Sequence, residues 1–562
     1  MDAPAWIRPR LSLSVPQAAG AARGLLARWP SRLAELGLCA LVLVPVVLYP
    51  LGRDQALFAY AGQVILDGGL PYRDVFEQKG PATHYTFAFI LYLFGEQQWA
   101  VRLFFALVLL AGSQLAAALA QRLAGPRARW PAALGFALLV SHGRGAQYFT
   151  AQVEDLLLVL SLGALLLVWS PEARRRLSRL ALAAFLLGLA CTYKPTAIVP
   201  AVALGLLALW YAWSELPGKK RWPWWWPVRL ATCTAALLLP AVLFLGYLAW
   251  QGAWGDFWVS VVEHNRTYSG TNRTAWSGAL MLLGGAWART TLVVALALAA
   301  GLVPRCRGSW LLAALGTGHY LAVVWQGKYW PYHWTPVLGV LAVLAAPALE
   351  HLGRRIARGL HLGRLRQGWL QFALCGVVTF LVATPHPVQY LDTWSWIYQL
   401  ARGRISLEQY YALYTTGTGD GQEVLQAAQH IRRHSRPGET LLVWGREPML
   451  HFLSGRRAPN RFVLGLSVCR FDSPHILKWR QEYMASLHAR PPAFVVVVPG
   501  DETHFSPQGM AVQMKFFRRF QRWFRQNYRL DCVVGDYRLY RRWESPAREP
   551  PAETPRELSQ RP

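Results

Sequence analysis

The stretch LGLCALVLVPVVLYPLGRDQALFAYAGQVILDGGLPYRDVFEQKGPA, residues 36–82, decides the fold. Its first part, up to Leu51, is apolar, and a helix needs about 20 such residues to cross a bilayer. Its second part, from Gly52, carries acidic and basic side chains together with Gly and Pro. The stretch therefore predicts a membrane-spanning helix that is followed by a long polar loop on one side of the membrane.

The same alternation continues along the chain. Hydrophobic residues make up 54% of the 562 residues and charged residues 16%, whereas an average soluble domain has about 45–50% apolar and about 25% charged residues. With an ambiguous run at 84–94, the pattern predicts eleven to thirteen transmembrane helices. The eleven clear runs begin near Leu36, Trp99, Trp130, Phe149, Leu180, Ala197, Val228, Ala279, Trp310, Pro331 and Leu370.

The formal net charge is +28, and much of it lies in short loops between the apolar runs. Short loops rich in Lys and Arg are typical of the cytoplasmic side of membrane proteins. The positive charge is therefore better explained by membrane insertion than by nucleic-acid binding. The alternate loops, and the chain after about Pro385, then face outward. We therefore expect a multi-pass protein of the cell inner membrane with its C-terminal part on the periplasmic side.

The pattern divides the chain into a cytoplasmic segment at 1–35, a transmembrane domain at 36–385, an outward-facing α/β domain at 386–545 and a disordered tail at 546–562. In the first outer loop, 52–82, the apolar spacing predicts an amphipathic helix over 57–65 along the membrane interface. Only Cys469 and Cys532 could form a disulfide in the α/β domain. Helices are predicted there at Gly421–His434, Pro448–Ser454, Ile476–Ala489 and Lys515–Arg525, and strands at Thr440–Trp444, Phe462–Leu466, Ala493–Val498 and, as a pair, within Asp531–Arg542.

Ionisable side chains gather at the outward ends of the predicted helices. Such residues are costly in a membrane and by default indicate function. They suit group transfer from a phosphate carrier, in which a carboxylate accepts a proton from the acceptor and cations or a metal stabilise the leaving phosphate. The candidates are Asp54 as the base, with Lys79, Glu154, Asp155, Lys194, His264, Arg266, Lys328 and His333 around it.

Each candidate also has a structural interpretation. Asp54 is compatible with a helix cap, and Glu154 and Asp155 with the dipole at a helix N-terminus. Lys194 can extend its ammonium to the membrane surface. Lys328 and His333 lie in a segment that also reads as an aromatic interface belt.

The first outer loop resembles that of the GT-C glycosyltransferases, and in particular the bacterial family 39-like proteins. These are related to the protein O-mannosyltransferases and to the lipid A aminoarabinose transferases. The resemblance rests on Asp54-Gln55, Tyr60, the run Gly68–Phe76 and Lys79-Gly80-Pro81, with later support from Tyr193-Lys194-Pro195, Lys328–His333 and Val443-Trp444-Gly445.

The resemblance implies a polyprenyl-phosphate-linked sugar donor and an inverting transfer. Asp54 matches the family's catalytic acidic position, Lys79 matches its loop lysine, and Glu154 or Asp155 matches its second acidic motif. In the aminoarabinose transferases a Glu directly before the lysine helps to hold a metal. Here that position is Gln78, with Glu77 one residue further back, and His264 matches the second ligand, so a divalent metal is left open.

We therefore expect a membrane glycosyltransferase, moving a hexose or pentose from the lipid carrier to a lipid, glycan or protein acceptor of the envelope. A transporter or flippase for a lipid-linked saccharide is one alternative. A non-catalytic envelope assembly protein on the same fold is the other. Transporters place polar sites near the membrane midplane, often between internal repeats, and neither feature is clear in this sequence.

Overall fold

The computed structural model describes residues 29–141, 150–215, 225–270, 278, 280, 307–359, 373–381, 384, 387–415, 419–469, 473–501, 509–543 and 556–557. The first part of the chain is helical. Its main helices are α1 (Trp29–Leu48), α2 (Arg53–Leu66), α3 (Pro81–Phe94), α4 (Gln98–Ala124), α5 (Arg129–Ser141), α6 (Val153–Leu167), α7 (Leu177–Tyr193), α8 (Ile198–Ser214), α9 (Trp225–Trp250), α10 (His264–Gly270), α11 (Arg307–Gln326), α12 (Thr335–Gly359), α13 (373–381) and α14 (Pro387–Ala401).

Four stretches are long and apolar enough to cross a membrane by themselves, and a bent pair would add a fifth. Eight of the eleven predicted starts fall within or just before a described helix, and those near Phe149, Ala279 and Leu370 lie outside the described residues. The prediction of a polytopic helical membrane protein with a C-terminal α/β domain is confirmed. The four stretches are Gln98–Ala124, Pro195–Ser214, Trp226–Trp250 and Pro331–Ile356.

The predicted helix of the first outer loop is α2, which lies at 79° to α1. The amphipathic pattern predicts one face open to water, but the residues of α2 from Gln55 to Val64 are all buried. Helix α3 packs on α2 from the membrane domain, and Met449–Ser454 packs on it from the C-terminal domain. The loop helix is therefore enclosed between the two parts of the protein.

The C-terminal domain combines helices with a five-stranded sheet. Its elements are α15 (Leu407–Ala412), α16 (Gly421–Arg433), β1 (Leu441–Trp444), α17 (Met449–Ser454), α18 (Ile476–Ala489), β2 (Phe494–Val497), α19 (Arg518–Asn527), β3 (Tyr528–Val534), β4 (Tyr537–Arg542) and β5 (Arg556–Glu557). The strand order is β1-β2-β4-β3-β5, in which β1 and β2 are parallel and β4 is antiparallel to both β2 and β3. One sheet face packs against α16 and the other against α18 and α19.

Most of the predicted elements of this domain are present, but the strand predicted at Phe462–Leu466 is wrong. This segment leads into a 3₁₀ turn at Gly465–Cys469. Its neighbour Arg461 accepts a hydrogen bond through its carbonyl from the backbone N–H of Phe76 in the first outer loop. The run is apolar because it is buried between that loop and the domain core.

Two further expectations concern the cysteines and the tail. Cys469 and Cys532 are both free, and they belong to the cores on opposite sides of the sheet, so they do not pair. In the tail, β5 pairs with β3, which differs from the predicted disorder at those two positions. The other residues of 546–562 lie outside the described residues.

Candidate functional site

Asp54 lies in the first turn of α2, directly after the bend that follows the first span. The N-terminus of a helix carries a partial positive charge, which stabilises a carboxylate at this position. The Tyr332 hydroxyl is a hydrogen-bond partner of the Asp54 side chain, and Tyr332 comes from the turn before α12. Two segments almost 280 residues apart in the sequence therefore meet at this carboxylate.

A second acid, Glu154, forms an ion pair with Lys194, with Oε1 and Nζ 2.6 Å apart. Glu154 is in the first turn of α6, and Lys194 is the residue that ends α7. Anions are favoured at helix N-termini and cations at C-termini, so both helix dipoles support this arrangement. The two side chains are 2% and 12% exposed, which makes the pair a buried one.

Lys79 lies between these groups. Its ammonium interacts electrostatically with Glu154, Asp54 and Glu77 and is 5.9 Å from the ring centre of Tyr332. Burial would lower the pKa of Lys79, but the three carboxylates outweigh it and raise this pKa above its ordinary value. Lys79 is therefore a stable cation in the centre of the group.

Glu77 completes the acids of the cluster. Its carboxylate accepts a hydrogen bond from the backbone N–H of Lys79 and lies 3.6 Å from Nε2 of His84. Burial raises the pKa of Glu77 to about 7, an effect that the nearby Lys79 charge only partly offsets. Glu77 thus exchanges its proton near neutral pH, whereas an exposed glutamate does so near pH 4.3.

Arg102 positions both acidic segments from inside α4. Its fully buried guanidinium donates hydrogen bonds to the carbonyls of Tyr49 and Pro50, just before Asp54, and to the carbonyl and hydroxyl of Thr150, just before α6. Gln55 also donates to the Thr150 carbonyl, at 2.9 Å. The side chain therefore connects the chain segments that carry Asp54 and Glu154.

The loop that carries Lys79 is held against the end of α7. The Gly80 N–H donates to the Tyr193 carbonyl, and a Cβ at Gly80 would lie only 2.0 Å from the Thr192 carbonyl oxygen. On the other side, the amide of Asn265 donates to the Gln78 carbonyl at 2.9 Å. Only glycine fits between Lys79 and Pro81 without displacing the Thr192 carbonyl.

Two more of the predicted residues border the cluster. Lys328 donates to the carbonyl of Tyr268 at 3.2 Å and lies 4.5 Å above its ring. His333 is buried, and its ring is within electrostatic reach of Lys194, Lys79 and Lys328. The structure therefore brings seven of the predicted residues to one place at the ends of several helices, namely Asp54, Glu77, Lys79, Glu154, Lys194, Lys328 and His333.

Three predicted residues have other surroundings. Asp155 is buried and forms a capping box with Gln152 at the start of α6, so it stabilises the helix that carries Glu154. Arg266 is exposed on α10. The ring of His264 packs among aromatic rings, with Phe76 at 5.2 Å and Tyr268 at 6.3 Å between centroids.

Whether Glu77 and His264 could hold a metal ion depends on the ligand atoms that surround them. The nearest imidazole to Glu77 in the described contacts is that of His84, and His264 contacts aromatic rings. In the described part of the chain, no third His, Cys or acidic side chain forms a compact set with Glu77 and His264. A protein metal site usually takes at least three protein ligands, so these residues do not form one by themselves.

The C-terminal domain contacts the segment that carries Asp54. Asp501 is fully buried and accepts hydrogen bonds from Arg53, next to Asp54, and from Arg446, at 3.1 and 2.8 Å. Glu447, which follows Arg446 in the chain, is also buried and accepts a hydrogen bond from the Tyr537 hydroxyl at 3.1 Å. The first turn of α2 is thus fixed to the domain that follows the membrane part.

Sequence reasoning missed Tyr332, Arg102 and His84. Tyr332 lies within a segment that resembles an aromatic interface belt, so the sequence gives no separate signal for a functional role of its hydroxyl. Arg102 had a usable signal, because a charged residue inside an apolar run is expensive and indicates a specific partner. His84 lies in the short apolar run at 84–94, and the sequence does not show whether this run crosses the membrane, so it does not indicate the surroundings of His84.

Known proteins match both the sequence and the fold. Residues 78–239 match the model of the dolichyl-phosphate-mannose-protein mannosyltransferase family. ArnT from Cupriavidus metallidurans, in the crystal structure bound to undecaprenyl phosphate, superposes with a TM-score of 0.59 at 14% identity, over 91% of this chain and 98% of that chain. Its apo form gives a TM-score of 0.58 at 14% identity, over 92% and 98%.

The Archaeoglobus fulgidus oligosaccharyltransferase, tethered with an acceptor peptide containing the NVT sequon, gives a TM-score of 0.50 at 12% identity, over 92% of this chain and 74% of that chain. No curated protein matches by sequence. The chain therefore has the GT-C fold of membrane glycosyltransferases. The resemblance stated from the first outer loop, to the class that includes the protein O-mannosyltransferases, is confirmed.

Proposed function

We propose that the protein is an inverting glycosyltransferase that moves a sugar from a polyprenyl-phosphate carrier to an envelope acceptor at the outer face of the inner membrane. The observation that carries the proposal is the meeting of Asp54 with Lys79 and with the Lys194–Glu154 pair, from four separate chain segments. A structural role alone does not require two lysines and three acids in one buried group, because burying charge is costly.

In the proposed reaction, the acceptor hydroxyl attacks the anomeric carbon of the sugar from the side opposite the phosphate. The new C–O bond forms as the bond to the carrier phosphate breaks, and Asp54 takes the proton of the hydroxyl. The carrier phosphate leaves with the electron pair. The configuration at the anomeric carbon is inverted because the attack comes from the opposite face.

Lys79 and Lys194 suit the leaving phosphate, which gains negative charge during the transfer. Among the described residues, no acceptor is hydrogen-bonded to the Lys79 ammonium, whose three N–H groups can therefore meet a ligand. Glu154 holds the Lys194 ammonium in place. No step requires a metal.

The comparisons support a lipid-phosphate donor, since the family model is named for dolichyl-phosphate-mannose and one matching structure contains undecaprenyl phosphate. The basic short loops support an outward site, because they are typical of the cytoplasmic side. The donor sugar, as a hexose or a pentose, and the acceptor would be identified by mass spectrometry of envelope glycolipids and glycans with and without the gene.

The test uses the purified protein in vesicles made from envelope lipids, with release of the free carrier phosphate as the readout. Asp54→Asn should abolish transfer. The matched control is Asp67→Asn at the other end of α2, where the carboxylate pairs with Arg457. Equal transfer by wild type and Asp54→Asn would exclude the proposed base, and movement of the carrier lipid across the vesicle membrane without transfer would favour a flippase.

A further inference from the structure

A second group of chemically active side chains lies in the C-terminal domain, away from the cluster at the helix ends. His430 is in the last turn of α16, and Asp531 and Cys532 are on β3. His430 Nε2 and Asp531 Oδ2 are 2.6 Å apart. One ligand atom from each of the three residues lies within 4.8 Å of the others.

A β-bulge in β3 produces this arrangement. Leu530 pairs with Tyr540 and Cys532 with Leu539, so Asp531 is an extra residue in the strand. Side chains alternate along a regular strand, and a bulge shifts this alternation by one residue. Tyr528 accordingly belongs to the core on the α19 side, whereas Cys532, four residues later, belongs to the core on the α16 side.

We propose that His430, Asp531 and Cys532 form a binding site for a divalent transition metal of the zinc type. Imidazole nitrogen, thiolate sulfur and carboxylate oxygen are the three donors that Zn²⁺ takes in proteins, whereas Mg²⁺ and Ca²⁺ prefer oxygen alone. The present separations need to change by about 1 Å to match a tetrahedral ion with ligands at about 2.0–2.3 Å.

The surroundings agree with this assignment. Cys532 is 4% exposed, while His430 and Asp531 are partly exposed, so an ion can enter from the helix side and keep a fourth position for water. Binding of the ion to sulfur releases the thiol proton. Arg541 is a nearby cation that opposes an added positive charge, and the His434 ring also lies close, with its centre 4.2 Å from that of His430.

A bound ion would join α16 to β3 of the sheet. Binding to the folded state alone stabilises that state. We therefore expect the C-terminal domain to unfold at a higher temperature with Zn²⁺ than after treatment with a chelator. This inference is independent of the proposed glycosyl transfer, because it uses none of the residues at the helix ends.

The experiment titrates Co²⁺ into the metal-free, full-length protein in detergent and records the thiolate-to-cobalt charge-transfer absorption. One equivalent should produce the band, and Zn²⁺ should remove it by competition. His430→Gln and Cys532→Ser should each lose it. Cys469→Ser, the matched control in the same domain, and Asp54→Asn should keep it.

Cys532 lies in the core, so its serine variant can lose the band by losing structure. The His430→Gln variant resolves this point, because it leaves the thiol and the core unchanged, and circular dichroism reports the fold of each variant. Absence of a saturable band in the wild type, or a band that persists in folded His430→Gln and Cys532→Ser variants, would overturn the proposal.

Discussion

Lys194 and Glu154 face each other at the C-terminal end of α7 and the N-terminal end of α6, and each carries the charge that its own helix terminus favours. The pair is 40 residues apart in the sequence and lies beside Lys79 and Asp54. It therefore combines two roles, since it joins two helices and presents an ammonium group to the cluster.

The first prediction concerns this pair. Glu154→Gln or Lys194→Gln leaves one buried charge without its partner, which typically costs about 3–5 kcal/mol. Each single variant should unfold at lower temperature and lose transfer. The double variant should regain much of the stability but not the transfer. If the double variant loses as much stability as the two single variants together, the two side chains do not act as a pair.

The second prediction concerns Arg102. Arg102→Lys keeps the charge but cannot reproduce a fork that reaches Tyr49, Pro50 and Thr150, so transfer should fall strongly and stability by about 2 kcal/mol or more. The matched control is Arg122→Lys at the other end of the same helix, where the guanidinium is exposed and bonds only the Leu166 carbonyl in the described contacts. Equal effects of the two changes would refute a positioning role.

The third prediction uses Gly80. Gly80→Ala places a methyl group 2.0 Å from a backbone carbonyl, which must move the loop and Lys79 with it. We expect transfer to fall by at least about tenfold, as misplacement of a binding group by about 1 Å commonly causes. Gly205→Ala is the control, because its added Cβ meets no atom within 4 Å. Full activity of Gly80→Ala would mean that the loop adapts without cost.

The fourth prediction is a pH dependence of stability. Burial raises the pKa of Glu447 to about 7 from the ordinary 4.5. Between these values the folded protein holds a proton that the unfolded chain has released, so the free energy of unfolding should fall as the pH rises from about 4.5 to about 7 and then level off. For this one group, the decrease should be about 3 kcal/mol.

Glu447→Gln should therefore flatten this part of the profile and raise the unfolding temperature above pH 7, since the amide can still accept from Tyr537. Thermal unfolding in detergent from pH 5 to 8 is the measurement. Glu439→Gln, outside this network, should keep the wild-type profile. A Glu447→Gln profile that parallels the wild type would assign the pH dependence to another group, with Glu77 as the next candidate.

Much of the site could be predicted because charges at the ends of apolar runs are rare and costly. This pattern predicts Asp54, Lys79, Glu154 and Lys194 on one membrane face, and the structure brings the four side chains together. Residues that fit both a structural and a functional role are harder to assign from sequence. Tyr332 belongs to an aromatic segment, and Asp155 next to Glu154 serves the helix cap.

Contacts between distant segments could not be predicted from one sequence. The apolar run at 462–466 has the period of a strand, but its burial between the loop and the domain decides its structure. The enclosure of α2 depends on Arg53 reaching Asp501, 448 positions away. Local patterns contain no information about such a partner, because they describe periodicity and propensity within a few turns.

The joining of α2 to the C-terminal domain has a consequence for biogenesis. Arg457 binds Asp67, and the Ala458 N–H binds the Tyr60 hydroxyl, each across about 390–400 residues. The ribosome makes the loop long before its partners, at about 5–20 residues per second. Tens of seconds therefore pass between synthesis of the loop and synthesis of the C-terminal segment that α2 must contact, and the two can assemble only after that interval.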